Sequence, residues 1–188
     1  MTDCLTGKLP PFPFAADDLY LVKATVACHS GRYEMTDIEA KRTLLNRDGT
    51  PMPEALDEDM IRAVVHGFYD RIRDDDMLGP IFNGEIAPHE WPEHLAKMCD
   101  FWSSTLLKTG RYDGRPLAPH LRIENLGEAH FRRWLTLFKA TVTSVCPPEV
   151  AALFLDRATR IAHSFHLAIA FHRGDDTLTI KPILATAL

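Results

Sequence analysis

Two histidines stand at positions of this sequence where an apolar residue would be ordinary. His94 follows Trp91 by three residues and precedes Met98 by four, so it projects from the apolar face of a predicted helix. His120 follows Pro119, whose ring stiffens the backbone at that corner of the chain. A buried imidazole nitrogen without a partner costs about 1–3 kcal/mol. Each histidine is therefore either bonded to the backbone or directed at a ligand or metal, and spacing alone leaves both readings open.

Two aromatic residues with polar tips lie on the inward faces of two other predicted helices. Tyr69 and Trp134 each bury a large apolar body but keep an O–H or N–H group that needs an acceptor. For each residue alone, core packing with a backbone acceptor is the simpler interpretation. Together with His94, they could place three hydrogen-bond donors in a common space opposite His120. Such a set suits a small anionic or polarised ligand held on a metal.

Four amphipathic stretches must position these side chains. Their apolar residues recur at the spacing of one buried helical face: Ile61, Val64, Val65, Phe68, Tyr69, Ile72; Trp91, His94, Leu95, Met98, Trp102, Thr105; Phe131, Trp134, Leu135, Phe138, Val142, Val145; and Val150, Phe154, Ala158, Ile161, Ala162, Phe165, Ile169. Asp57 can cap the first helix, and Pro148 suits the first turn of the fourth. This middle part of the chain lacks the alternating pattern of β-strands. The pattern predicts an all-α core of four helices packed in two layers.

The two ends of the chain differ from this core. Residues 1–53 hold five of the 13 prolines and little periodicity, which indicates a partly irregular N-terminal extension with one short helix from Thr36 to about Asn46. The helical domain is predicted over 54–173. The tail, 174–188, contains a strand-like segment at Thr177–Ile180.

Composition narrows the class of protein. Lys and Arg number 21 against 26 Asp and Glu, a net charge of −5 with no basic stripe, which argues against a dedicated nucleic-acid binder. No apolar run approaches the ~20 residues of a membrane span, and the N-terminus lacks a signal-peptide layout. Four scattered cysteines without a C-x-x-C pair indicate reduced thiols and a cytoplasmic location, with no membrane partner. Translation starting at Met35 is a further hypothesis, which peptides from the first 34 residues would refute.

The remaining histidines carry weaker signals. His163 and His166 are three residues apart, a spacing compatible with sharing a metal, but no carboxylate clearly completes a site. Five more are predicted to lie at the surface or rim: His29, His66, His89, His130 and His172. No zinc spacing of cysteines, glycine-rich phosphate loop or nucleophile elbow is present.

Five segments in order carry a resemblance to a known family. They are Phe68-Tyr69; Leu78-Gly-Pro-Ile-Phe82-Asn; Trp91-x-x-His94-x-x-x-Met98-x-x-Phe101-Trp102; Gly114-x-Pro116-Leu-x-x-His120; and Phe131-x-x-Trp134-Leu-x-Leu-Phe138. This order and these separations resemble the truncated haemoglobins, and within them group III. The resemblance covers about residues 54–173.

The resemblance implies a truncated globin-like two-over-two helical sandwich, with a non-globin N-terminal extension, that binds haem b. His120 matches the iron ligand, and the matching distal residues, the candidates for catalysis, are Tyr69, Trp134 and His94. Further haem contacts are implied for Phe82, Met98 and Trp134, and more loosely for Lys97 and Arg122 as propionate partners. Met98 departs from the branched aliphatic residue that is more usual there.

The implied function is binding of O2, NO and CO at an open axial position. Two hydrogen bonds of about 1–1.5 kcal/mol each would slow ligand escape roughly 30- to 150-fold. Such a pocket favours nitric oxide detoxification, with the chain acting as a nitric oxide dioxygenase and a reductase as partner, in a monomer or weak homodimer. Alternatives are a peroxidase-like or gas-sensing haem protein, a haem-free helical interaction module, and a non-haem metalloenzyme using His163 and His166. A Soret band separates the haem proteins from the other two.

Overall fold

The computed structural model describes residues 44–45 and 49–183, all within one compact unit. Six α-helices and a short 3₁₀ helix occur in order: α1 (Glu58–Arg73), α2 (Gly79–Glu85), α3 (Trp91–Leu106), α4 (Leu117–His120), α5 (Glu128–Val145), α6 (Pro148–Arg173) and the 3₁₀ helix Thr177–Thr179. The described part contains no β-strand, only an isolated antiparallel bridge between Leu45 and Pro51. The all-α prediction is confirmed. No helix in these ranges is long and apolar enough to cross a membrane.

Helix α1 begins and buries its face as its sequence predicts. The Asp57 side chain accepts a hydrogen bond from the Met60 amide, which satisfies one of the free N–H groups of the first turn. The six apolar residues of the predicted stripe are all buried, and they include Phe68 and Tyr69. The helix therefore presents its tyrosine inward from its penultimate turn.

The turn from α1 to α2 is fixed by a buried carboxylate. Asp75 accepts hydrogen bonds from the amides of Met77 and Leu78, at 3.1 and 3.0 Å, and pairs with the Arg133 guanidinium of α5. Gly79 then passes so close to α1 that a Cβ would lie 2.8 Å from the Arg73 carbonyl oxygen. Only glycine allows α2 to start this close to the end of α1.

The four long helices form a two-over-two sandwich. Helix α1 packs against α3 and α5, and α5 packs along α6. Aromatic rings fill the centre: Trp102 of α3 stacks on Phe138 of α5 with centroids 5.1 Å apart, and Phe154 of α6 lies 5.2 Å from Trp102. Burial of these large apolar rings stabilises the packing of the helices.

The C-terminal segment differs from its prediction. Thr177–Ile180 is not a strand: Thr177–Thr179 form a 3₁₀ turn in which the Asp176 carboxylate accepts from the Leu178 amide. A single alternating stretch without a neighbouring strand has no ladder to join, so local side-chain bonding decides its shape. The helix predicted from Thr36 lies mainly outside the described residues, and Leu45, near its predicted end, is not helical.

Candidate haem and ligand site

Tyr69 is the centre of an aromatic cluster built from three helices. Its ring centroid lies 5.0 Å from that of His94 on α3, 5.9 Å from Phe82 on α2 and 6.0 Å from Trp91 on α3, all edge-to-face. Phe68, its neighbour on α1, adds a fourth contact at 5.2 Å. The short α1–α2 turn and the inward face of α3 thus bring together Tyr69, Phe82 and His94, which the sequence places far apart.

Burial sets the protonation states in this cluster. Removal from water raises the pKa of the Tyr69 hydroxyl well above its usual value, so the group stays a neutral donor. Burial, reinforced by the charge of Lys97, lowers the pKa of His94 and favours its neutral form. The Nε2 atom of His94 is buried and has no hydrogen-bond partner among the described residues. A buried ring nitrogen without a protein partner is available to bond a ligand.

Trp134 lies beside this cluster rather than within it. Its ring stacks on Phe138, with centroids 5.2 Å apart and planes 4° from parallel, and meets Phe68 edge-to-face at 5.2 Å. Phe68 therefore lies between Trp134 and Tyr69. The indole is half-buried, unlike its buried neighbours Leu135 and Phe138 on α5, so one side of it is not covered by the described residues.

His120 ends the single turn of α4 and is held on two sides. Its Nδ1 lies 2.8 Å from the Pro116 carbonyl oxygen, and its ring meets the Phe165 ring of α6 edge-to-face at 5.0 Å. A carbonyl can only accept, so Nδ1 carries the proton and Nε2 keeps its lone pair. Burial lowers the pKa of the ring, although the Pro116 bond opposes this, and the neutral imidazole is favoured. A neutral imidazole with this bond at one nitrogen is prepared to bind a metal with the other.

Comparison with known proteins identifies the family. The group 3 truncated haemoglobin ctb of Campylobacter jejuni is 38% identical to this chain over 114 residues, which are 60% of this chain and 90% of that protein. A crystal structure of group III truncated haemoglobin from the same species superposes with a TM-score of 0.59 at 36% identity, and covers 62% of this chain and 94% of that one. No protein-family model matches the chain.

This chain belongs to the group III truncated haemoglobins. It is therefore a globin-type haem protein that binds diatomic gases, as the resemblance in its sequence predicts. The residues of this globin fit the cofactor. His120, whose Nδ1 is bonded to Pro116, offers its Nε2, and the Nε2 of His94 has no hydrogen-bond partner among residues 44–45 and 49–183. Half-buried apolar side chains from α2, α3, α4 and α6 add the surface that a flat apolar ring needs: Phe82, Leu95, Met98, Leu117, Leu121 and Phe165.

Three further residues predicted to contact haem are half-buried or exposed. Met98 is half-buried one turn beyond His94 on α3. Lys97 is exposed, but its charge reaches the His94 ring. Arg122 is exposed just after α4, in the loop that leads to α5. None of these three residues joins the ring contacts around Tyr69, so their roles stay predictions.

The sequence predicted no role for four neighbours of the site. They are the Pro116 carbonyl and Phe165 at His120, and Trp91 and Arg73 at the tyrosine cluster. The separation of four residues between Pro116 and His120 matches one helical turn and could have suggested the hydrogen bond. Phe165 stood on a predicted inward stripe, but nothing in one sequence shows which ring it meets.

Within the described residues of this globin, His163 and His166 lack the additional ligands that a metal site needs. Both Nδ1 atoms are buried and unpartnered within the described residues, and His166 packs against the Phe131 ring at 5.6 Å. No group of three or more His, Cys, Asp or Glu residues in 44–45 and 49–183 could hold a metal ion. The described part of the chain thus supplies no third ligand to this pair.

Proposed function

We propose that His120 binds the iron of haem b through Nε2 and that the opposite face holds O2 or NO beneath Tyr69, His94 and Trp134. The observation that carries this proposal is the 2.8 Å bond between His120 Nδ1 and the Pro116 carbonyl. It fixes the tautomer and orientation of the ring, and such an acceptor also makes a ligating imidazole more basic. The neutral state favoured by burial keeps the nitrogen available near neutral pH.

Tyr69 is proposed as the principal donor to the bound gas. Its four aromatic neighbours hold the ring in one orientation, and its raised pKa keeps the hydroxyl proton in place. His94 is 5.0 Å from it and carries the unpartnered nitrogen that would face the same ligand. Trp134 contributes from α5, separated from Tyr69 by the Phe68 ring. Donors of this kind stabilise negative charge on a ligand and slow its release.

The remaining assignments concern the cofactor's edge and the chain's organisation. Phe82 and Met98 are proposed to pack against the porphyrin, and Lys97 and Arg122 to pair with its propionates. The division into an extension at 1–53, a globin domain at 54–173 and a tail at 174–188 stays a prediction, as do the cytoplasmic location and the monomer or weak homodimer.

We propose that the reaction supported by this site is detoxification of nitric oxide with O2, the activity of a nitric oxide dioxygenase. Haem supplies the redox chemistry when bound, and a reductase would return it to the ferrous state. The chain's own contribution is a neutral imidazole on one face and protonated donors on the other. These donors would slow the release of O2, so that O2 would still be bound when NO enters the site.

Two measurements test this proposal in order. A Soret band with one haem per chain is expected first, and its absence would favour a haem-free helical interaction module. Single-turnover mixing of the oxygenated protein with NO should then yield nitrate stoichiometrically. If instead the protein oxidises substrates rapidly with peroxide and leaves NO unconverted, the peroxidase-like alternative replaces it.

A further inference from the structure

Trp91 contacts the tyrosine cluster and also lines a surface cleft. The cleft has a volume of about 530 Å³ and lies between the end of α1, α2 and the start of α3, with Arg73, Asn83, Ile86 and Trp91 among its lining residues. Trp91 is only 4% exposed, so it forms the inner wall of the cleft.

The same tryptophan contacts both proposed distal residues. Its ring lies 5.6 Å from His94 and 6.0 Å from Tyr69, edge-to-face in each case. One indole therefore stands between the cleft and the Tyr69–His94 pair. Both contacts are edge-to-face ring packing, which is an aromatic contact and not a hydrogen bond.

A cation holds the indole from the cleft side. The guanidinium carbon of Arg73 lies 4.8 Å from the centroid of the Trp91 ring. Arg73 stands in the last turn of α1, and its backbone carbonyl accepts a hydrogen bond from the Asn83 side chain at 3.1 Å, which ties α2 to the same corner. The ion pairs found among the described residues do not include Arg73, and its guanidinium stacks on the Trp91 ring.

We propose that this cleft is an entry site for small neutral ligands, with Trp91 as its inner wall and Arg73 as the residue that holds the wall closed. This inference rests on the proposed function, because the ligand it admits is the gas that Tyr69 and His94 receive. Such a wall changes the free-energy barrier that a ligand crosses on its way in or out. It does not change the free energy of the bound or the unbound ligand. Opening it therefore speeds entry and exit by the same factor.

Arg73→Gln is the decisive variant, because it removes the cation and keeps the buried rings in place. In the haem-loaded protein, the CO association and dissociation rates should both rise about 2- to 5-fold, with an unchanged Kd. This is the factor expected from the loss of one exposed cation–π contact. Arg62→Gln is the matched control: this α1 arginine pairs only with the exposed Asp59 at 2.7 Å. It should leave both rates at the wild-type value.

A second readout does not need the cofactor. In the apoprotein, the Trp91 indole N–H, identified by its loss in Trp91→Phe, should exchange with solvent faster in Arg73→Gln by a similar factor. Unchanged rates and unchanged exchange would overturn the inference. A rise in dissociation alone, with a weaker Kd, would also overturn it and make Arg73 a positioning residue for the distal donors. A missing Soret band would refute the proposed function, whereas the exchange measurement would still report on the wall itself.

Discussion

Replacing Tyr69 by Phe isolates the contribution of one hydroxyl to ligand retention. The ring touches Phe68, Phe82, Trp91 and His94 and is buried, so phenylalanine keeps the same packing and loses only the oxygen. A hydrogen bond between neutral groups contributes about 1–1.5 kcal/mol, which corresponds to about 5- to 12-fold in a rate. Negative charge on the ligand strengthens the bond to about 1.5–3 kcal/mol and extends the range to about 150-fold.

The assay is the O2 dissociation rate, measured by displacement in stopped flow. The Tyr69→Phe protein should release O2 at least 5-fold faster, while CO, which carries less charge, should change far less. Because burial raises the pKa of the hydroxyl, the wild-type rate should be constant from pH 6 to pH 9. An O2 release rate that Tyr69→Phe leaves unchanged would remove this residue from its assigned role.

Three further outcomes follow from the same contacts. His120→Ala should lose stoichiometric haem and recover it with added imidazole, whereas the exposed His89→Ala should retain it; full haem in both variants would refute the ligand assignment. Asp75→Ala should lower the free energy of unfolding by about 2–4 kcal/mol in urea titration, since its charged bond to α5 and two amide bonds are lost together; a change under 0.5 kcal/mol would contradict this. Burial lowers the pKa of His94, His120 and His166 in the fold, so the unfolded chain takes up protons first, and apoprotein stability should fall as the pH drops below about 6.5; an unfolding midpoint that is constant from pH 7 to pH 5 would disprove it.

Local rules in the sequence predicted the four long helices, because caps and apolar stripes depend on residues close together in the chain, but they did not predict the short helix α2. Asp57 caps α1 by bonding an amide three residues away, and the first apolar stripe is buried in full. The prediction failed at Thr177–Ile180, where a strand would have needed a distant partner that the chain does not provide. Periodicity specifies which face of an element is apolar, but it does not show whether a neighbouring strand is present to pair with it.

The candidate site was only partly accessible from the sequence. Stripe positions predicted that Tyr69 and His94 point inward, and the structure shows their rings 5.0 Å apart. The same rule predicted Trp134 as an inward-facing residue, yet it is half-buried, because a hydropathy pattern does not show which inward positions another helix covers. The Phe68 ring between Trp134 and Tyr69 depends on how α1 and α5 are set together, which periodicity does not specify.

Helix α4 is a single turn, too short to hold a fixed direction by its own hydrogen bonds. The segment just after His120 is fixed by the end of α6. There Arg173 donates hydrogen bonds to the carbonyls of Ile123 and Leu126, at 2.9 and 2.8 Å. A fragment that keeps both of these hydrogen bonds must therefore extend through Arg173, the last residue of α6. A chain cut one turn earlier would keep the Pro116 bond and the Phe165 contact of His120, but it would lose both hydrogen bonds that hold the segment just after it.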